Sequence, residues 1–190
     1  MSRHSVRAWM LSLLTAGLCA CASAPDRPGP VQYLDPNTAV HFLIVAKPLI
    51  FAHVRPQTAA RVRDYATVAA ASMDRDGRIE YVLLIYLWST VDPRNGLGAW
   101  GPAPDLALVA DDRRTQLQPI AYSAQTPPPV DRPPTRHFVA GIYHSDLATL
   151  RYLTEARYLT LVRGEGAEEA RFELWDDERA YLAALVRSAQ

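Results

Sequence analysis

The order of apolar and polar positions predicts a chain built mostly of β-strands. Residues 39–46 and 49–54 are two apolar runs rich in β-branched and aromatic side chains, separated by Lys47 and Pro48. Such runs are typical of strands, whereas proline lacks the amide donor that a central strand needs. The second run is therefore predicted either as a second strand or as the continuation of the first beyond a bulge.

The clearest predicted element is a hairpin. Residues 63–73 lead into the polar sequence DRDG at 74–77, and residues 78–90 return. Aspartate and glycine suit a four-residue hairpin turn because they tolerate left-handed backbone. Apolar residues occupy both faces of the returning strand, which predicts a central strand that is covered on both sides. One face holds Ile79, Tyr81, Leu83, Ile85 and Leu87, and the other holds Val82, Leu84, Tyr86 and Trp88.

Two more hairpins and a single strand are predicted in the second half of the chain. Residues 106–110 and 115–122 flank the charged sequence DDRR, and residues 158–163 and 170–175 flank GEGAEE. Residues 137–143 are an apolar run that predicts one more strand.

Two short helices are predicted near the end of the chain. Leu147, Leu150 and Leu153 repeat at helical spacing, with Ser145 or Asp146 placed to cap the first amides. Residues 176–189 predict a second helix, because acidic residues precede it and Arg187 lies near its end, as the helix dipole favours. Its predicted buried stripe consists of Tyr181, Leu182 and Leu185.

Eight or nine short strands with two short helices predict a mainly β fold. The favoured architecture is a β-sandwich, with an immunoglobulin-like sandwich as its narrower form. The alternative is an α+β two-layer sheet with the C-terminal helix on one face. Residues 33–190 are predicted to form one strand-rich globular domain.

The N-terminus has the pattern of a targeting segment. Residues 1–7 contain Arg3, Arg7 and no acid, and residues 8–18 are mostly apolar. A basic segment before an apolar run of about 7–15 residues is typical of a secretory signal, which is too short to span a membrane as a helix.

Both cysteines of the chain follow directly, in the sequence Leu18, Cys19, Ala20, Cys21. Aligned on Cys21, this sequence resembles the lipobox of bacterial lipoproteins, the signal-peptidase II motif of leucine, two small residues and cysteine. Alignment on Cys19 fits poorly, because bulky Leu18 then takes the place of a small residue. The alternative is an ordinary secretory signal that is cut after an A-x-A site.

The resemblance implies a lipid-anchored protein of the cell envelope. Residues 1–20 would be cleaved, and Cys21 would carry acyl chains such as palmitate. Two or more such chains give stable membrane attachment. Residues 21–32, which are rich in proline, would form a tether. The family retains many members at the inner membrane through an aspartate after the cysteine. Here that residue is Ala22, which implies the outer membrane, facing the periplasm.

The charge balance and the cysteine content exclude two further properties, a nucleic-acid partner and an intramolecular disulfide. The chain has 20 basic and 20 acidic residues, and Lys47 is the only lysine. Nucleic-acid binders usually have a basic excess, so no nucleic-acid partner is predicted. Loss of Arg3 and Arg7 with the signal would leave 18 basic residues beside 20 acidic ones. Cleavage before Cys21 would also leave a single cysteine, and hence no intramolecular disulfide.

No catalytic, metal or cofactor motif is present. The sequence lacks a glycine-rich phosphate loop and the HExxH, GxSxG and CxxC patterns. After the signal, the histidines are His41, His53, His137 and His144, and each is interpreted as structural or exposed. Adjacent residues such as His144, Ser145 and Asp146 do not assemble a catalytic relay. No cofactor and no metal site are therefore predicted.

The loop at residues 91–105 is the best candidate surface. It contains three glycines and three prolines, and long loops in compact domains are often functional. Trp100, Asn95 within the loop and Trp88 at its rim are the candidate binding residues. The predicted function is that of a lipid-anchored periplasmic domain that binds or scaffolds an envelope protein without catalysis.

Two alternatives remain. One is an envelope hydrolase that uses His137 or His144 with an acid. The other is an assembly-factor subunit of an envelope machine, which pairs with its partner through an edge strand.

Overall fold

The computed structural model describes residues 29–55, 62–90, 105–121, 133–135, 138–166 and 169–189. Strands account for 56% of these residues, and they form one curled antiparallel sheet with the shape of a half-barrel. The mainly β prediction, with two helices, is confirmed.

The described residues contain ten strands and two helices. The strands are β1 (Pro30–Leu34), β2 (His41–Val45), β3 (Leu49–Val54), β4 (Arg63–Arg75), β5 (Arg78–Ser89), β6 (Leu106–Ala110), β7 (Arg113–Gln116), β8 (Phe138–Ser145), β9 (Leu159–Arg163) and β10 (Ala170–Asp176). The helices are α1 (Leu147–Glu155) and α2 (Arg179–Ser188). Strand β1 includes residues 30–32, which the sequence placed in the tether.

The long strand β4 organises the sheet. Strand β5 pairs with one of its edges over the full length, and β2 and β3 share the other edge. Ile44 lies opposite Ala71 and Leu49 lies opposite Val68, so residues 45–48 face only residues 69–70 of β4. This insertion contains Lys47 and Pro48, so the second run is a separate strand, β3, that follows β2 along the same edge of β4 across a bulge.

The hairpin between β4 and β5 turns more tightly than the sequence predicted. Arg75 pairs with Arg78, so Asp76 and Gly77 alone form the loop. Their φ angles are 54° and 82°, as a two-residue type I′ turn requires. The predicted four-residue turn was therefore wrong, because Asp74 and Arg75 still belong to the strand. The Asp74 side chain instead accepts a hydrogen bond from the Gly77 amide at 2.8 Å.

The strand after DDRR is also shorter than predicted, because it changes partners. Strand β7 pairs with β6 through Gln116, and the Leu117 amide still donates to the Leu106 carbonyl. Residues 118–120 then pair with β8, where the Ile120 amide donates to the Ile142 carbonyl at 2.8 Å. Hydrogen bonds thus run from β8 through β5, β4, β3, β10, β9, β6 and β7, and return to β8. Residues 118–120 therefore connect β7 with β8, two strands that are distant in the strand order.

Both faces of β5 are buried at its centre, as its pattern predicts. Leu83 and Ile85 lie on one face, and Val82 and Leu84 lie on the other, each at most 2% exposed. Ile79 departs from the prediction, since it lies beside the turn and is exposed. The face with Leu83, which also holds Val68 and Ala70 of β4, packs against the helices; we call it the inner face, and the opposite one the outer face.

The two helices are linked to each other and to the sheet. Asp146 caps α1, where its side chain accepts a hydrogen bond from the Thr149 amide at 2.6 Å. Arg179, at the start of α2, donates to the carbonyl of Ala156, the residue that ends α1. Leu150, Leu153, Leu182 and Leu185 are buried in the common core. Among the described residues, no helix combines the length and the apolar character that a membrane crossing requires.

A glycine in β8 makes room for a buried tyrosine. A Cβ atom at Gly141 would lie 2.9 Å from the ring of Tyr143, so only glycine fits beneath this ring. Tyr143 is fully buried, and this burial raises the pKa of its hydroxyl. Tyr143 therefore stays a neutral packing residue at physiological pH.

Candidate binding surface

Three aromatic side chains lie side by side at one end of the sheet. Tyr65 in β4 is the cross-strand partner of Trp88 in β5, and Trp88 is the partner of Phe138 in β8. Residues that lie directly opposite each other in antiparallel strands project to the same face. The three rings therefore form a row on the outer face, each partly exposed.

Trp88 holds this row together. Its ring stacks on Tyr65, with the ring centroids 4.4 Å apart and the planes 16° from parallel. Its Nε1 donates a hydrogen bond to Thr67 Oγ1 at 3.4 Å. A partly buried tryptophan needs a partner for this polar atom. The contacts fix Trp88 on the sheet three residues before the predicted loop begins.

Arg63 extends the row towards β10. It lies two residues before Tyr65, on the same face of β4, and its guanidinium lies 4.4 Å from the ring centroid of Trp175. We call these residues the aromatic band, which consists of Phe138, Trp88, Tyr65, Arg63 and Trp175. The band has residues on β8, β5, β4 and β10, and it passes over β3, which lies between β4 and β10.

A bulge in β10 explains why Trp175 points outward. Leu174 pairs with Phe51 and Asp176 pairs with Ile50, so the register shifts at Trp175. A bulge leaves the extra residue unpaired and changes the direction of its side chain. Trp175 is 58% exposed as a result. Strand β10 therefore presents a large aromatic ring to solvent.

The chemistry of the band suits recognition. Tryptophan, tyrosine and arginine are the residue types that contribute most to protein interfaces. The Arg63 guanidinium lies over an exposed ring, where it remains able to donate hydrogen bonds to a partner.

One of the predicted binding residues belongs to this band. Trp88 lies between Phe138 and Tyr65 in the band, whereas Trp100 and Asn95 lie outside the described residues. Cys21 and most of the predicted tether also lie outside them. The structure therefore places Trp88 among aromatic neighbours and leaves the predictions about the other three residues untested.

The histidines that the structure describes lie apart. His41 pairs with Asp74 and His53 pairs with Asp64, ten residues apart along β4, which is about 30 Å of extended strand. His53 instead contacts the Arg171 carbonyl through Nδ1 at 2.7 Å. His144 is exposed in β8, and His137 lies outside the described part. Within the described ranges, no group of three or more potential ligands could hold a metal ion.

Asp146, the acidic residue of the sequence HSD at 144–146, accepts a hydrogen bond from the backbone. The Asp146 carboxylate caps α1 through the Thr149 amide, so it is Asp146, of the two predicted candidates Ser145 and Asp146, that forms the cap. Its neighbour His144 is exposed on the preceding strand. The hydrolase alternative therefore gains no support from these residues.

A second charged cluster lies on the outer face of β10. Glu169 accepts hydrogen bonds from Arg114 at 3.0 Å and from Arg171 at 2.8 Å. The guanidinium of Arg114, followed by that of Arg171, holds the pKa of the Glu169 carboxyl below its usual range. Both ends of this cluster are exposed, which makes it a surface ion pair of modest energy.

Four of the five residues of the band were not predicted as binding residues from the sequence. Tyr65 and Phe138 belong to strands that it predicted, but their alignment with Trp88 depends on the register. Trp175 was assigned to a regular strand, since a bulge leaves no sign in the apolar pattern. Comparison with known proteins found no matching family model, no similar curated protein and no similar solved structure.

Proposed function

We propose that this protein is a lipid-anchored domain of the bacterial cell envelope that binds a partner protein and carries out no catalysis. The anchor is supported by the sequence from Leu18 to Cys21, which follows a basic and then apolar segment. Ala22 after the cysteine supports an outer-membrane location, with the domain in the periplasm.

The aromatic band is the observation that supports binding. Trp175 is exposed at a bulge, and Arg63 lies over its ring. Surface tryptophans with this exposure tend to mark interfaces, and fewer than a third of interface residues contribute most of the binding energy. We therefore assign partner recognition to the Trp175 and Arg63 end of the band, with Trp88 as its fixed support.

We also propose that the two halves of the curled sheet pack against each other as the layers of a β-sandwich do. Phe51 of β3, Leu83 of β5 and Leu161 of β9 belong to one buried apolar cluster. Side chains from distant parts of the strand order therefore share one core, which supports facing layers. The immunoglobulin-like strand order stays a prediction.

The edge of the sheet supports a second candidate function. Strand β1 stands at the end of the strand order, and among the described strands it pairs only with β2. Its Val31 and Leu34 are both about half exposed. An unpaired, apolar edge can accept a strand from another protein. This arrangement favours the assembly-factor alternative, with β1 as the pairing element.

Site-specific crosslinking in intact cells tests the two surfaces against each other. A photoreactive amino acid replaces Val54, which is exposed and pairs with Arg63 of the band, Val31 or, as a control, Ile79, which is exposed next to the β4–β5 turn. We expect one crosslinked product of defined mass from position 54, and none from positions 79 and 31. A product from position 31 alone would transfer the function to the β1 edge. Equal labelling at all three positions, or none at any, would contradict both proposals.

A further inference from the structure

The tip of the β4–β5 hairpin joins an aspartate directly to a glycine. Asp76 and Gly77 alone form the loop, and both residues are exposed. No other aspartate in the sequence precedes a glycine. A Cβ atom at Gly77 would meet nothing within 4 Å, so neighbouring side chains leave this peptide bond open to water.

An aspartate before a glycine can form a ring with the backbone. The Gly77 nitrogen attacks Cγ of the protonated Asp76 carboxyl. The N–Cγ bond forms, the Cγ–OH bond breaks, and the hydroxyl leaves as water with the amide proton. A second water then opens the succinimide at either carbonyl, which restores aspartate or yields isoaspartate. Glycine favours the attack, because it has no Cβ atom to hinder the approach.

In the folded protein, a neighbouring carboxylate engages the attacking nitrogen. Asp74 Oδ1 accepts a hydrogen bond from the Gly77 amide at 2.8 Å. A hydrogen bond to an ionised carboxylate is roughly twice as strong as a bond between neutral groups. The backbone of Asp74 is fixed by its strand partners, Ile79 in β5 and His41 in β2. Ring closure therefore has to break a strong, well-placed hydrogen bond.

The charge of Asp74 opposes the same reaction. Before it attacks, the Gly77 nitrogen has to lose its proton, so negative charge develops on it. This charge would arise at hydrogen-bond distance from the Asp74 carboxylate, and a like charge nearby disfavours the ionised form of a group. Asp74 thus hinders ring closure both by holding the proton of the amide and by repelling the anion.

We propose that Asp76–Gly77 is a site of spontaneous isoaspartate formation and that the Asp74 carboxylate suppresses this modification in the folded protein. Isoaspartate adds one carbon atom to the main chain. A two-residue turn that pairs Arg75 with Arg78 has no room for this extra atom, so the modification opens the tip of the hairpin. The inference goes beyond the proposed function, and it requires neither the lipid anchor nor the aromatic band.

Substitutions of Asp74 test its protective role. The purified full-length protein is incubated at neutral pH, and mass spectrometry with electron-transfer fragmentation measures isoaspartate at position 76 over time. Asp74→Ala removes both the acceptor and the charge, so formation should be about tenfold faster or more, as expected for the loss of a hydrogen bond to a charged group. Asp74→Asn keeps an oxygen acceptor without the charge, and its rate should lie between those of the wild type and Asp74→Ala.

Two controls separate this role from general effects. Glu80→Ala removes an acid that pairs with Arg78 of the same hairpin at 3.4 Å, and it should leave the rate unchanged. In urea the hairpin and its hydrogen bond are lost. The wild type and both Asp74 variants should therefore form isoaspartate at one common rate there, which is faster than the rate of the folded wild type.

Three results would overturn the proposal. They are equal rates in the folded wild type and Asp74→Ala, slower formation in either Asp74 variant, or a difference between the variants that persists in urea. Slower formation would show that the carboxylate acts as a base that promotes the attack. Circular dichroism first verifies that the variants fold, and if Asp74→Ala does not, the comparison of the wild type with Asp74→Asn decides.

Discussion

Trp88 and Tyr65 are direct cross-strand partners, and their rings stack with centroids 4.4 Å apart. The Trp88 indole also donates to Thr67 on the same strand as Tyr65. Trp175, by contrast, stands on a bulge, where Arg63 is the neighbour that contacts its ring. The two tryptophans of one band therefore have different roles: Trp88 stabilises the sheet, and Trp175 is available for contact.

A double-mutant cycle measures the Trp88 stack. Tyr65→Ala, Trp88→Ala and the double variant are compared by urea unfolding. We expect each single change to cost about 2–3 kcal/mol, since both rings are only partly buried. The coupling between them should be about 0.5–1.5 kcal/mol, which is typical of aromatic pairs. Additive single effects would show that the stack contributes nothing beyond burial.

Trp175→Ala should separate stability from binding. Because the side chain is exposed, we expect its loss to cost no more than about 1 kcal/mol, mostly from the cation–π contact with Arg63. Crosslinking of a partner through a probe at Val54, which pairs with Arg63, should fall at least tenfold in this variant. Ile79→Ala is the matched exposed control. Undiminished crosslinking after Trp175→Ala would remove the binding role of this residue.

Gly77→Ala tests the two-residue turn. The φ of Gly77 is 82°, and a Cβ atom there would meet nothing within 4 Å. The expected cost of about 1 kcal/mol therefore comes only from the left-handed backbone. Asp76→Asn is the control, since asparagine tolerates this region and should be neutral within about 0.5 kcal/mol. Thermal unfolding measures both, and a neutral Gly77→Ala would contradict the turn geometry.

Asp177 should make stability depend on pH in the acidic range. The hydrogen bond from Arg179 holds the pKa of the Asp177 carboxyl below its usual value. Asp177 therefore stabilises the folded state at pH values above the unfolded pKa near 3.8. This contribution disappears as pH falls through the lower folded pKa. Asp177→Asn should remove it, so that the stability difference between variant and wild type shrinks from pH 6 to pH 2.

Arg179→Gln provides the control for this pH dependence. Without the guanidinium, the main cause of the lowered pKa of Asp177 is gone and only the backbone amide of residue 179 still donates to the carboxylate, so Asp177→Asn should add much less pH dependence in that background. Arg179 also donates to Ala156 at the end of α1. A constant offset in stability at all pH values is therefore expected from Arg179→Gln itself. If Asp177→Asn changes the slope of stability against pH, between pH 2 and pH 6, no more in the wild type than in the Arg179→Gln background, another carboxyl causes that slope.

Local patterns predicted elements well wherever a few neighbouring residues decide them. The uninterrupted apolar run from Val82 to Tyr86 predicted a strand buried on both faces, and Ser145 and Asp146 before the leucine repeat predicted a cap for α1. Both features depend only on residues that are close in sequence, so they could be predicted from the sequence.

Features that depend on which strands pair with each other could not be predicted from the sequence. Residues 118–120 leave β6 and pair with β8, which no local pattern indicates. The bulge at Trp175 arises from a mismatch between β10 and β3, and the contact between Lys47 and Glu178 joins residues 131 positions apart. The aromatic band consists of such contacts, so the candidate site was less predictable than the strands.

Fractionation of a Cys21→Ser variant tests the central claim, a body tethered to a membrane by acyl chains, most directly. The full-length chain is expressed in a bacterium with two membranes, with Cys19→Ser as the matched control. We expect the unaltered protein and the control in the membrane fraction, each with a mass that lacks residues 1–20 and includes the lipid. Cys21→Ser should accumulate without lipid and with an unprocessed signal. Membrane association and processing that are unchanged after Cys21→Ser would contradict the account.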